Sequence, residues 1–305
     1  MVIEPGMWIS DSPYIGHIAS IAAAALWAIA SILFTRLGAS INAAVLNLLK
    51  TGIACLLMLL TLKIGAGHFW PQTMTSAEVA WLAGSGLLGL TLGDTLLFMA
   101  FNRVGPRKSL LFMTLAPPTT ALLAWPFLGE PITLKMCLGI LITIFGVALV
   151  IDDREGSEGQ QSDKGGLMLA AAAALCQAVG NIGTKLGGHH APLEMGLVRI
   201  TFGTMGLLLL VLLTRNIRSE LRPLKHGKTL SMVLVATLLG TYFGIWLQVA
   251  GLRFAPAGIA ATLSSTSPIF VLPLAAIWLN DRLTGRKLVA ALIATLGMAL
   301  LFDIG

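Results

Sequence analysis

The stretch "AFNRVGP" at Ala100–Pro106 returns about 150 residues later as "AGLRFAP" at Ala250–Pro256, with its arginine and its proline in the same places. Beyond it, "LGEPIT" at Leu128–Thr133 matches "LNDRLT" at Leu279–Thr284 at a similar spacing. Near the start, "AAAALWAIASILFTRLG" matches "AAAALCQAVGNIGTKLG" in the second half of the chain. Similarity at a fixed spacing is the signature of an internal repeat. The sequence therefore predicts two related halves.

The composition of the chain is that of a membrane protein. Of its 305 residues, 56% are hydrophobic and 11% are charged, whereas a soluble globular protein carries roughly 25% charged residues. Apolar runs long enough to cross a bilayer core of ~30 Å lie at Ile15–Phe34, Ala43–Ile64, Val79–Phe101, Leu110–Leu128, Leu134–Ile151, Gly166–Thr184, Leu193–Leu213, Leu230–Leu252, Ala257–Leu279 and Leu288–Phe302. Strands of a membrane barrel are shorter and alternate in polarity. We predict an all-α integral membrane protein with ten transmembrane helices.

The number of helices in each half sets the orientation of the second half. Five is odd, so the second half enters the membrane from the opposite side, which gives two inverted five-helix repeats around a central cavity, an arrangement typical of secondary transporters. We predict an N-terminal segment at 1–14, a first repeat at 15–151, a charged linker at 152–164 with the sequence "DDREGSEGQQSDK" through Lys164, and a second repeat at 165–303.

The ends of the two halves resemble a known family. The motifs are "LGEPITLKMCLGILITIFGVALVI" at Leu128–Ile151, its counterpart "LNDRLTGRKLVAALIATLGMALLF" at Leu279–Phe302, and "AATLSSTSPIFVLPLAAIWL" between Ala260 and Leu279. On these motifs the chain resembles the drug/metabolite transporter superfamily, as a ten-helix transporter with two EamA-type domains. The resemblance covers about Gly16–Ile151 and Gly165–Phe302, and identifies the fold and the transport class better than the substrate.

The resemblance implies a secondary transporter that exports a small organic metabolite, such as an amino acid or a drug-like solute, by alternating access. It also implies a multi-pass protein of the inner or plasma membrane, with helices one, three, four, six, eight and nine around the cavity. The chain lacks a GxxxxGK[ST] phosphate loop, so ATP-driven pumping is not supported. A membrane channel or scaffold is the alternative, and an intramembrane enzyme is a weaker one.

Asp94 stands inside the third apolar run, in "GLTLGDTLLFMAFNRVG" at Gly89–Gly105. Placing an aspartate at the centre of a membrane helix costs about 2.5–3.5 kcal/mol, so such a residue faces protein partners or a wet cavity. At helical spacing it shares a face with Thr91, Thr95, Phe98 and Asn102. We expect Asp94 to line the substrate pathway or to carry protons; a static ion pair with Lys50 or Arg199 is the alternative.

Polar residues of other helices are further candidates for the pathway. Lys50 and Arg199 occupy matching positions in the two halves, and each either contacts a carboxylate or extends toward the membrane interface. The remaining candidates are Trp27 and Ser31 in the first helix, Gln177 and Asn181 in the sixth, and Gln248 in the eighth. Uncharged polar residues in a span also form simple hydrogen bonds between helices. Their convergence on helices expected to be central favours a cavity.

Two matching glycine pairs are predicted to serve helix packing. Gly89 and Gly93 lie four residues apart in the third helix, and Gly240 and Gly244 repeat the spacing in the eighth. Small residues at this spacing allow helix backbones to approach closely. We expect these two helices to pack tightly against their neighbours.

Prolines and acids also recur in the two halves. Pro117 and Pro118 in the fourth helix correspond to Pro268 in the ninth, and they are predicted to kink their helices as hinges or as fixed bends. Glu130 and Asp281 recur at helix ends and are predicted to cap the helices that follow them.

The remaining features concern partners and orientation. The three cysteines fall in apolar runs without metal-like spacing, and no cofactor or metal is expected. We expect a small-molecule substrate and lipid contacts but no nucleic acid, and we leave proton coupling and a monomeric state open. Lys and Arg are concentrated in the loops after the odd-numbered helices, so the positive-inside rule places both termini outside. The family resemblance implies termini in the cytoplasm.

Overall fold

A computed structural model describes residues 14–38, 40–151, 163–214, 224, 226–267, 269–270, 274 and 285–302. This described part consists of helices and connections and contains no strand, in agreement with the predicted all-α class. In chain order its elements are α1 (Ile15–Gly38), α2 (Ala43–Ala66), α3 (Ser76–Ser85), the π-helical segment π1 (Gly86–Gly93), α4 (Asp94–Met113), α5 (Ala116–Leu128), α6 (Leu134–Ile151), α7 (Lys164–Leu186), α8 (Pro192–Thr214), α9 (Gly227–Thr237), the π-helical segment π2 (Leu238–Phe243), α10 (Gly244–Phe254), α11 (Ala257–Ser264) and α12 (Gly285–Phe302).

Six helical stretches are long and apolar enough to span a membrane. They are Ile15–Gly38, Ala43–Ala66, Ser76–Val104, Lys164–Leu186, Pro192–Leu213 and Gly227–Phe254. Shorter apolar helices lie at Leu134–Leu149 and Val289–Leu300. These stretches confirm a helical membrane protein. The count of ten spans stays a prediction, because part of the predicted ninth helix lies outside the described residues.

The third and eighth predicted helices each contain a π-helical segment at matching positions. π1 ends at Gly93, directly before Asp94, and π2 ends at Phe243, directly before Gly244. A π-helix widens the turn and interrupts the α-helical hydrogen-bond pattern, and such segments are frequent at functional sites. No pattern in the sequence predicted these segments. They rotate the residues around Asp94 relative to an ordinary α-helix.

The two halves differ where the matching prolines lie. The sequence predicts a break between Phe101 and Leu110, but α4 continues through Pro106 to Met113. A proline removes one backbone N–H, and a helix can continue past it with a bend. In the second half the helix does end at this place. Ala255 has an extended backbone, and α11 begins at Ala257, after Pro256.

The helices of each half pack mainly against helices of the other half. α1 contacts α9, π2, α10 and α11, and α7 makes the matching contacts with α3, π1, α4 and α5. Across the middle, α2 packs on α8, α5 on α11 and α6 on α12. Every one of these contacts is reproduced when the two halves exchange roles. This pattern is consistent with a two-fold relation between the halves, although the predicted domain boundaries and membrane orientation stay predictions.

Close backbone approach explains several of these contacts. A Cβ atom added at Gly16 would lie 2.6 Å from the backbone nitrogen of Ala255, and one added at Gly240 would lie 2.4 Å from the Cβ of Ala30. Such distances exclude any larger side chain unless the helices separate. α1 is therefore held against the π2–α10 helix of the other half by residues that lack side chains.

Candidate functional site

A cavity of about 150 Å³ lies between the two halves. Its lining comes from α1, α2, π1, α4, α5, α7, π2, α10, α11 and adjacent turns. The polar or charged lining residues are Trp27, Lys50, Asp94, Thr114, Gln177, Asn181, Thr241, Gln248, Ser264, Ser265 and Ser267. The volume is several times the about 30 Å³ that one water molecule occupies in the liquid. The cavity can therefore hold a small solute, and α2 contributes to it in addition to the helices implied by the family resemblance.

Lys50 and Asp94 form an ion pair in the wall of this cavity. The Lys50 Nζ atom lies 2.5 Å from Asp94 Oδ2, and the two side chains are 2% and 16% exposed. Asp94 begins α4 and Lys50 lies in the middle of α2, so the pair joins two helices of the first half. Both arrangements considered for Asp94 are present together, since the paired carboxylate also faces the cavity. Its role in transport stays a prediction.

Three aromatic rings surround the ammonium group of Lys50. The Nζ atom lies 5.6 Å from the ring centroid of Trp27, 5.8 Å from that of Phe34 and 5.3 Å from that of Phe98. Cations are attracted to ring faces at such distances, most strongly where water is excluded. Lys50 is therefore held by a carboxylate on one side and by aromatic faces on others, so its charge is well compensated.

Asn47 supports the start of α4 and was missed by the sequence analysis. Its Nδ2 group donates to the Leu90 carbonyl oxygen at 2.8 Å and to Thr95 Oγ1 at 3.1 Å. Leu90 lies in π1, and Thr95 follows Asp94 directly. Asn47 is fully buried, one helical turn before Lys50. In the sequence, the signal for it was an isolated amide within an apolar run.

Arg199 has a very different environment from its repeat counterpart Lys50. It is completely buried, and its Nη1 group donates to Gln248 Oε1 at 3.4 Å. Within the described residues, its Nε and Nη2 groups are buried without a hydrogen-bond acceptor. Gln248 and Gln177 line the cavity, and a Cβ atom added at Gly89 would lie 2.9 Å from Arg199 Nη2 and 3.8 Å from Gln177 Oε1. The guanidinium group thus lies beside Gln248 and near Gln177, outside the set of residues that line the cavity.

Several other predicted residues do meet at the cavity. Trp27, Gln177, Asn181 and Gln248 all line it, as do Gly240 and Gly244. Gln177 Nε2 donates to Asn181 Oδ1 at 3.4 Å, and Asn181 Nδ2 donates to Thr120 Oγ1 at the same distance. The amides of α7 therefore form a connected polar strip along one side of the cavity.

Four predicted pathway residues lie elsewhere. The hydroxyl of Thr91 donates to the Gly203 carbonyl at 2.8 Å, because Thr91 belongs to π1 and the α-helical spacing used to place it beside Asp94 does not apply there. The hydroxyl of Ser31 donates to the Ala28 carbonyl at 2.9 Å. Phe98 and Asn102 line a second cavity of about 50 Å³, beyond the aromatic rings around Lys50.

The predicted packing glycines and hinge prolines have mixed positions. Gly89 and Gly93 lie against Arg199 and Cys176, whereas a Cβ atom added at Gly244 would meet only the Leu239 carbonyl of its own helix. Pro117 and Pro118 lie in the first turn of α5 instead of inside a kinked helix, where a missing N–H costs little. Their role as a hinge stays a prediction, and Pro268 lies outside the described residues.

The ends of three helices are joined by a set of polar contacts that we call the Glu130 junction. Glu130 forms an ion pair with Lys185, and its Oε2 atom accepts a hydrogen bond from the backbone nitrogen of Ala257 at 2.7 Å. Lys185 Nζ also donates to the Ala255 carbonyl at 2.7 Å. The prediction that Glu130 caps the helix following it is wrong, because the helix that it caps is α11 of the other half. Asp281 lies outside the described residues.

Two contacting helical halves around a polar, charge-bearing cavity define a multi-pass membrane transporter. Comparison with known proteins agrees with this class. The chain belongs to the EamA-like transporter family, which matches residues 14–152 and 164–303. It is accordingly a multi-pass protein of the inner membrane.

Two relatives are named "Probable amino-acid metabolite efflux pump". The Salmonella typhimurium protein is 31% identical over 200 residues, which cover 62% of this chain and 64% of that protein. The Escherichia coli protein is 32% identical over 231 residues, covering 71% of this chain and 74% of that protein. The match thus spans less than two thirds of the Salmonella relative. A solved crystal structure aligns over 96% of this chain and 99% of its own, with 15% identity and a TM-score of 0.77, a likeness that concerns the fold alone.

Proposed function

We propose that this protein is a secondary exporter of small organic solutes of the amino-acid metabolite class, built from ten spans in two inverted repeats. The observation that carries the proposal is the cavity between the halves with the Lys50–Asp94 pair in its wall. The names of the two relatives support the direction of transport and the class of solute.

The ion pair is better explained by a solute site than by packing alone. Charged groups are costly inside a membrane and usually mark substrate or ion pathways. Asp94 keeps a partly exposed carboxylate that faces the cavity, within reach of a bound solute. A carboxylate used only to join α2 to α4 would not need contact with an open space.

Alternating access requires that each end of the cavity opens in turn. The Glu130 junction closes one end, because it ties the end of α5 and the end of α7 to the start of α11. In the proposed cycle these contacts break together when the solute leaves or enters at this end. The helix is interrupted at Ala255 and Pro256, and in the proposed cycle α10 and α11 change their relative angle there.

The proposal is tested by counterflow of labelled amino acids and their derivatives in proteoliposomes. Wild-type protein should exchange at least one labelled solute, and Asp94→Asn should reduce the rate by about tenfold or more while the protein still inserts and purifies. Glu78→Gln is a matched control, because Glu78 is an acid outside the cavity that caps α3. Full activity of Asp94→Asn, or equal loss in Glu78→Gln, would contradict the assignment. The same assay across pH measures proton coupling.

A further inference from the structure

We infer that the cavity binds its solute through a carboxylate held by Arg199, and that a free amino group on the solute is not required. This inference rests on the proposed transport site and names the chemistry that the site recognises. It starts from the guanidinium group of Arg199, which no acceptor among the described residues fully satisfies.

A buried guanidinium group without acceptors is an unusual arrangement. Burial of a charge is strongly unfavourable unless it is paired and hydrogen-bonded. Arg199 is completely buried, yet among the described residues its Nε and Nη2 groups have no hydrogen-bond acceptor, and its Nη1 group makes a long bond to Gln248. A carboxylate arriving from the cavity would supply the missing acceptors, because a guanidinium group binds a carboxylate through two parallel hydrogen bonds.

The protein's own carboxylate at the cavity is already in use. Asp94 Oδ2 accepts a hydrogen bond from Lys50 Nζ at 2.5 Å, and hydrogen bonds between ionised groups are the strong ones. Among the described residues in or directly behind the cavity wall, the ionisable groups are Lys50, Asp94 and Arg199. These carry two positive charges and one negative charge, so a bound monoanion makes the site neutral. A solute with a net positive charge would instead increase the positive charge of the site.

Two amides of the cavity wall lie near Arg199. Gln248 accepts a hydrogen bond from its Nη1 group at 3.4 Å, and Gln177 Oε1 and Arg199 Nη2 both lie within 4 Å of a Cβ atom added at Gly89. When these amides turn, their NH₂ groups can donate to the same carboxylate that contacts Arg199. The lining also includes the apolar side chains of Leu97, Met113 and Ile245, which suit the hydrocarbon part of a small acid.

The pairing of Asp94 decides what happens to an amino group. Recognition of an ammonium group needs an available carboxylate, and Lys50 holds Asp94 with the help of three aromatic rings. An N-acetylated amino acid should therefore bind at least as well as the free amino acid. An amino acid amide, which keeps the ammonium group and loses the carboxylate, should not bind.

The test compares three probes on the purified full-length protein: N-acetylalanine, alanine and alaninamide, with ionic strength matched by sodium chloride. In thermal unfolding, N-acetylalanine at saturating concentration should raise the melting temperature by about 2 °C or more, and alaninamide should leave it unchanged. Arg199→Met should abolish the shift, and it should raise the melting temperature of the ligand-free protein because it removes a buried charge that lacks acceptors. Arg253→Met, which removes an arginine outside the cavity, should retain the shift.

Each other outcome overturns the inference. Stabilisation by alaninamide, or by sodium chloride alone at the same strength, would mean that the site does not select an organic carboxylate. A ligand-free Arg199→Met protein that is less stable or fails to fold would make Arg199 a structural residue. Absence of any shift with N-acetylalanine would also contradict it. The proposed export function would survive these results if wild-type proteoliposomes still exchange amines or neutral solutes, so the two failures can be distinguished.

Discussion

Lys50 and Arg199 occupy matching places in the two halves, on α2 and α8, and both are almost completely buried. Lys50 has a carboxylate at 2.5 Å and three aromatic rings around it, whereas Arg199 has one long contact with an amide. The position in the second half that corresponds to Asp94 is occupied by Gly244 or Ile245. Repetition therefore reproduces the helix framework and the buried cation, while the partner of that cation has diverged. The first half compensates its cation with a hydrogen-bonded carboxylate. Asp94 also acts on Arg199 electrostatically, and we infer that a ligand completes the compensation of that cation.

The largest expected effect comes from breaking the Lys50–Asp94 ion pair. Lys50→Met leaves Asp94 without its partner, and loss of one member of a buried ion pair typically costs about 3–5 kcal/mol. Adding Asp94→Asn to Lys50→Met should recover most of that stability, because the uncompensated charge is then gone. Thermal or denaturant unfolding of the three variants measures this. An equal loss of stability in Lys50→Met and Arg199→Met would remove the contrast between the halves.

A second prediction concerns a substitution that supplies Arg199 with a carboxylate, the kind of partner that Lys50 already has. Gln248→Glu places a carboxylate oxygen where the amide oxygen now lies 3.4 Å from Arg199 Nη1. A hydrogen bond to a charged group contributes about 1.5–3 kcal/mol, so the ligand-free protein should become more stable. The same change should weaken binding of N-acetylalanine, since the internal acid competes for Arg199. Gln248→Leu is the control, and it should give no gain in stability. A Gln248→Glu protein that binds the probe unchanged would contradict the idea.

A third prediction concerns the support of the π-helical segment. Asn47 donates to Leu90 and Thr95 in the first half, while the matching position in the second half is Gly196. Asn47→Ala leaves the buried Leu90 carbonyl without this donor, at a cost of about 1–3 kcal/mol. Asn47→Ala should also lower transport, because the start of α4 positions Asp94. Unfolding and counterflow measure both effects. Loss of stability without loss of transport would mean that Asn47 does not position the acid.

The smallest expected effect concerns the end of the bundle. Lys185 is paired with Glu130, whereas its counterpart Arg36 is exposed. Glu130→Ala removes the cap of α11 and should cost about 1 kcal/mol. Access to the cavity can be measured with Ala261→Cys, since Ala261 lines the cavity, in a protein whose native cysteines have been replaced. Glu130→Ala should speed the labelling of that cysteine by a water-soluble thiol reagent. Unchanged labelling would show that the junction does not control access at this end.

The sequence predicted the parts of the site that depend on regular helices. Gln177, Asn181 and Gln248 were found because α7 and α10 keep α-helical spacing, and the repeat paired Lys50 with Arg199. Thr91 was misplaced because a π-helical segment changes the direction of its side chain, and hydrophobic periodicity carries no signal for such a segment. Glu130 was misassigned because its contact with Ala257 joins residues 127 positions apart. Contacts of that kind depend on how the halves pack, which local patterns do not encode.

The packing of each half mainly against helices of the other half has a consequence for biogenesis. α1 finds most of its neighbours among α9, π2, α10 and α11, which are synthesised in the second half of the chain. The backbone at Ala255 lies so close to Gly16 that a larger residue would not fit there. During insertion, the first spans enter the bilayer before the surfaces that complete them exist. We therefore expect the first half expressed alone to be a substrate for membrane proteases, and the two halves expressed as separate chains to rescue each other by assembling in the membrane.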